Sequence, residues 1–124
     1  MSPKSVENLK VYQKAVDGAD AIFAITNKPT FNRDTELRKQ LRTASGRIQA
    51  HLQEGSAQST DKHKAHYVSI ACGSAKEVKG HLRRALGYGF ITEDEYTKHW
   101  DMYDELAAML TKLRNYLDPE SGNQ

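Results

Sequence analysis

The sequence predicts an all-α protein, an up-down-up-down antiparallel four-helix bundle, on three observations. Apolar residues recur at three-and-four spacing in four separate stretches, the pattern of helices with one buried face. No stretch alternates with the period of two that a half-buried strand requires, and no repeat at a solenoid period is present. The links between the stretches are short, which makes consecutive helices antiparallel neighbours. The longest stretch, residues 59–89 (STDKHKAHYVSIACGSAKEVKGHLRRALGYG), has no internal proline, and as a helix it extends about 40 Å. In a chain of 124 residues, long enough for one core and not two, it can only be the spine of a bundle. One domain spanning 1–124 is expected.

Residues 1–9 lack a period, and Pro3 between Ser2 and Ser5 marks a loose or docked arm. The first helix is expected over 9–26, with Tyr12, Ala15, Val16, Ala19, Ile22, Phe23 and Thr26 as its seam. Asn27-Lys28-Pro29 stops it, because a proline biases the preceding residue away from helical angles. Phe31 in the following loop is expected to fold back on the core. The second helix, 34–54, opens at Asp34 or Thr35, either of which can cap free backbone N–H groups. Its stripe is Leu37, Leu41, Ala44, Ile48 and Leu52, and Gly55 is placed to end it in the left-handed conformation.

The third helix, 60–88, carries Tyr67, Ile70, Ala71, Ser74, Val78, Leu82, Ala85 and Leu86 on one side, and Gly87 or Gly89 can terminate it. Thr92 with Glu95 then reads as a capping box, in which each side chain satisfies an orphan donor at the helix start. The fourth helix, 93–117, turns Tyr96, Trp100, Tyr103, Leu106, Ala107, Leu110, Leu113 and Leu117 inward. Asp118-Pro119 breaks it, leaving 118–124 as a polar tail.

Composition narrows the class. Hydrophobic residues at 38% and charged ones at 27% suit a soluble bundle and exclude a disordered chain. No apolar run approaches the ~18 residues of a membrane span. The opening MSPKSVENLK lacks the apolar core of a secretory signal, and a single cysteine cannot form an internal disulfide, so a reducing cytoplasm is the expected location. Net charge is +2, unevenly spread: residues 33–84 hold eleven Lys/Arg against five Asp/Glu, and residues 85–124 hold three against eight. A basic middle and an acidic last helix imply either an anionic partner or mutual attraction within the bundle or between subunits.

Residues 41–55 (LRTASGRIQAHLQEG), followed by Ile70-Ala71-Cys72-Gly73-Ser74 with Glu77, resemble the two signature segments of the bacterial four-helix-bundle family. It is also called the 23S rRNA intervening-sequence protein family, because some members are encoded in inserts within 23S rRNA genes. Residues 9–15 (LKVYQKA) resemble its opening, and Gly89-Phe90-Ile91-Thr92 with Glu95 and Tyr96 its third turn. Arg47, Gln49 and His51 depart from the serine, proline and asparagine of a typical member. The resemblance implies a small cytosolic bundle assembled as a ring-like homopentamer, with no established enzymatic activity. In architecture it is also similar to the accessory proteins of diversity-generating retroelements, which are basic, pentameric and bind nucleic acid and a reverse transcriptase.

At 100° per residue, Cys72, Lys76, Lys79 and Arg83 share the side of the third helix away from its seam, while Arg38 and Arg42 share an edge of the second with Ser45 and Gln49. Rows of cations on rigid helices can meet phosphates, and Arg38, Arg42, Lys76, Lys79 and Arg83 are the candidate nucleic-acid-binding residues. No aromatic residue is visibly interleaved with them for base stacking. Glu77 is expected to pair with a neighbouring arginine such as Arg42 rather than act as an acid or base. Glu77/His81 and Glu95/His99 are spaced four apart, unlike the Glu-x-x-His pairs of bundle di-iron sites, so neither a metal nor another cofactor is expected.

Gly18, Gly46, Gly73 and Gly80 each weaken a helix by about 1 kcal/mol relative to alanine, which asks for close backbone approach, expected at Gly73-Ser74. With no phosphate loop or nucleophile elbow in the chain, the expected function is a non-enzymatic oligomeric binding or scaffold protein with nucleic acid as ligand. The alternative is a protein-partner adaptor or a purely structural module.

Overall fold

The computed structural model describes residues 9–120, so the expectations for residues 1–8 and 121–124 lie outside it. Four helices follow one another: α1 (Lys10–Ile25), α2 (Thr35–Ser56), α3 (Asp61–Gly87) and α4 (Glu93–Leu117), with a 3-10 turn at Pro29–Arg33 between the first two. No strand occurs among the described residues. α2 packs on α1 and α3, and α4 on α3 and α1, closing a ring of four neighbours. Tyr12 near the start of α1 accepts a hydrogen bond from Gln53 near the end of α2, and Lys28 just after α1 meets Glu95 in the first turn of α4. Such pairings fit the up-down-up-down order.

Local chemistry sets the boundaries. The Asp34 side chain accepts from the Leu37 amide at 2.9 Å and opens α2; Thr60 does the same for α3. Thr92 and Glu95 form the full capping box of α4, their side chains bonding each other's backbone amides at 3.1 and 2.8 Å. α3 ends in a Schellman arrangement: the Phe90 amide reaches back to Ala85 O and the Gly89 amide to Leu86 O. Gly89 takes φ +75°, a conformation that a side chain disfavours. Gly55, expected to play that part for α2, lies within the helix instead. A Cβ there would sit 3.1 Å from Tyr67 Cβ, so its role is to let α2 and α3 approach.

The core takes in the whole α2 stripe, together with Val78, Leu82 and Ala85 of α3 and Tyr103, Leu106 and Leu110 of α4. Phe31 is fully buried and its ring lies 5.3 Å from that of Phe90, as a loop residue folded back on the core should. Thr30 donates to Phe90 O and Lys28 to Glu95, so the α1–α2 connection is tied to the α3–α4 turn. The Lys28 hydrogen bond, helped by the Thr92 amide, holds the Glu95 carboxyl below the usual carboxylate range.

Three expectations are corrected. α1 is rotated by part of a turn: Ala15, Ile22 and Thr26 are buried as expected, but Val11, Gly18 and Ile25 join them in place of Val16, Ala19 and Phe23, the last 56% exposed. Gly73 is exposed and an added Cβ would meet nothing within 4 Å, although Ser74 beside it is buried. The close approach falls at Gly18 instead, where a Cβ would lie 2.8 Å from the Tyr103 hydroxyl. Finally, Cys72 is buried, its thiol 3.7 Å from Ala107 O and 3.5 Å from the Thr111 hydroxyl. α3 packs against two neighbours, so its buried arc is wider than the single seam that spacing suggests.

Candidate nucleic-acid interface

The five cations expected to form one basic surface are divided between two grooves on opposite sides of the bundle. Arg38 and Arg42 turn toward α1. Arg38 Nε donates to Thr26 O at 2.8 Å and one of its terminal nitrogens to Asn32 Oδ1 at 2.8 Å. Arg42 Nε donates to the Thr26 hydroxyl and a terminal nitrogen to Asn27 Oδ1, both at 2.9 Å, and its guanidinium covers the Phe23 ring at 4.2 Å. The end of α1 presents free carbonyls and the negative end of the helix dipole, which cations neutralise. These two arginines are therefore caps of α1 supplied from α2, with their guanidinium donors engaged within the fold. Arg42→Ala is expected to cost about 1–3 kcal/mol, because hydrogen bonds from a charged donor are lost and Phe23 is bared. Urea unfolding would show this.

Lys76, Lys79 and Arg83 stand on the α3/α4 side around Trp100. Lys79 Nζ lies 2.7 Å from Asp104 Oδ1 and 4.3 Å from the indole centroid, and the Arg83 guanidinium lies 5.1 Å from the same ring. Lys76 and Arg83 are exposed, and neither has an ion-pair partner among the described residues. Together with Gly80 these four side chains line a shallow recess. Trp100, expected to point inward, is half-buried at its rim, while its neighbour His99 is buried with Nδ1 2.6 Å from Glu95 O. The spacing Lys76, Lys79, Gly80, Arg83 places all four on one helix face, and Tyr103, Leu106 and Leu110 already fill the inner arc of α4. Those two facts were the available signal for a tryptophan at the edge.

Part of the charge asymmetry is met by attraction within the bundle. The acidic α4 pairs with Lys14 through Glu105 at 3.1 Å, with Lys28 through Glu95 and with Lys79 through Asp104. Glu77 pairs with an arginine as expected, but with Arg47 at 3.6 Å rather than Arg42. Beside it, burial lowers the pKa of His81 against the opposing pull of Glu77, which favours the neutral ring. No three His, Cys, Asp or Glu side chains among the described residues are placed to hold a metal ion. Nor is any described helix long and apolar enough to cross a membrane.

No curated protein matches the chain in sequence. Residues 7–112, reaching from just before α1 into the last turns of α4, match the family described as 23S rRNA-intervening sequence protein. A match over most of its length, on a chain folded as four packed helices, makes this protein a member of the 23S rRNA-intervening sequence protein family.

Proposed function

We propose that this protein is a non-enzymatic, oligomeric binding or scaffold module of the cytoplasm that binds RNA or DNA through the α3/α4 face. The observation that carries the reading is the grouping of Lys76, Lys79 and Arg83 about Trp100, cations beside a surface aromatic ring. Lys76 and Arg83 are the phosphate-binding residues in this reading. Lys79, held by Asp104, positions the indole. The family resemblance supports a homopentamer, in which repeated copies of a weak site gain affinity through avidity without any new contact.

Titrating RNA and DNA at increasing salt tests this. Affinity is expected to fall steeply with salt because each neutralised phosphate releases counterions. Lys76→Ala is expected to weaken binding to every sequence and to lower the log–log salt slope by about one. Absence of binding at low salt, or binding indifferent to Lys76 and Arg83, would reject the surface. A protein-partner adaptor is the second reading, favoured by the exposed Phe23 at the α1/α2 groove. Capture of one protein that survives high salt and is lost on Phe23→Ser would support it.

A further inference from the structure

Gly80 has no explanation within the fold. It sits in mid-helix, where glycine is a poor choice, it is exposed, and a Cβ added there would meet nothing within 4 Å. Its position has a different character from the other open glycines. Lys76 lies one turn before it, Arg83 one turn after it, and Trp100 of α4 closes the recess that its missing side chain leaves. Gly46 also lines a groove beside an aromatic ring and an arginine, but Asp20 rims that groove and Arg42 is spent on capping α1.

Resting on the nucleic-acid reading above, we propose that the Gly80–Trp100 recess seats one unpaired base of a single-stranded nucleic acid, with the flanking phosphates on Lys76 and Arg83. A bare patch of helix backbone beside an indole is the shape a flat heterocycle can lie against, and stacking on tryptophan accepts any base. Lys76 and Arg83 are two turns apart, about 10 Å along the axis, on either side of the seat. Of the two cations at the ring, Lys79 is anchored by Asp104 at 2.7 Å and stays. Arg83 has no carboxylate partner among the described residues, so it can exchange the indole for a phosphate and free the part of the ring beside Gly80, while Lys79 keeps its place 4.3 Å from the centroid. A duplex offers the same phosphates but keeps its bases stacked inside, out of reach of a recess one side chain deep.

Trp100 is the sole tryptophan, so its fluorescence reports on the seat directly. The experiment titrates the full chain with a short oligouridylate and, separately, with the duplex it forms with oligoadenylate. The expected result is quenching of Trp100 by the single strand and about tenfold weaker binding of the duplex without quenching. Gly80→Leu should fill the seat and lower single-strand affinity by about tenfold, while the melting temperature and assembly size are retained. Gly80→Ala should fall between. Unchanged affinity and quenching in Gly80→Leu, or equal binding and quenching by the duplex, would overturn the base seat while leaving a phosphate-binding surface standing. No binding of either polymer at low salt would overturn the nucleic-acid reading and this inference with it.

Discussion

Phe31→Ala is expected to lower the unfolding free energy by about 3–5 kcal/mol. For a chain of this size that corresponds to a fall in Tm of about 10 °C or more. The phenyl ring is fully buried although it belongs to a connection, and it packs 5.3 Å from the Phe90 ring of the α3–α4 turn while its 3-10 turn lies against α2. Its backbone is fixed on both sides, by Thr30 bonded to Phe90 O and by Asp34 capping α2, so the segment cannot collapse onto the space left behind. A cavity therefore persists, and its lining loses dispersion contacts as well as the transfer energy of the ring. Calorimetry would check this. A loss below about 1 kcal/mol would mean that the connection repacks freely and does not bind the two helix pairs together.

Gly18→Leu carries the second large effect, a loss of about 3 kcal/mol. Two terms oppose each other here. Any side chain gains helix propensity over glycine, by up to about 1 kcal/mol. Against that, the first added carbon already falls 2.8 Å from the Tyr103 hydroxyl oxygen and 3.0 Å from Cζ, and Tyr103 is wholly buried with no room to retreat. Overpacking wins. The hydroxyl also makes Tyr103→Phe informative. Its oxygen is buried, and the polar group beside it is the Ser45 hydroxyl, whose own proton goes to Arg42 O at 3.0 Å. Burial pushes the phenol pKa up, with Ser45 opposing, so the ring is neutral across the physiological range. Tyr103→Phe removes the nearest obstacle at little cost, and Gly18→Ala should be better tolerated in that background than alone. Denaturant midpoints of the four-member cycle measure the coupling. Full additivity would show that α1 and α4 do not meet at this point.

What sequence could reveal, and what it could not, divides along the reach of each interaction. The α2 stripe and the Thr92–Glu95 capping box rest on neighbours one turn away, and both are present as expected. α1 was misphased because glycine carries no weight in an apolar pattern, although the Tyr103 ring needs the space at Gly18. Phe23 carried too much weight, since the Arg42 guanidinium lets it remain at the surface. In sequence, Arg38, Arg42, Lys76, Lys79 and Arg83 are five equivalent cations. Only the packing of α2 on α1 shows that the first two meet the carbonyl and the hydroxyl of Thr26, a dozen or more positions earlier in the chain. The half-exposed Trp100 was hidden by the same non-locality, because its neighbours at the rim come from α3.

The lacing of Thr30, Phe31 and Lys28 to Phe90 and Glu95 gives the molecule two unlike poles. One is cross-tied. At the other, α1 begins beside the end of α2, and α4 finishes beside the beginning of α3. A fluorophore attached at Glu120 would thus sit at the untied pole. The Gly80–Trp100 recess belongs to the halves of α3 and α4 nearest the tied one, so a label at Glu120 would stand clear of it.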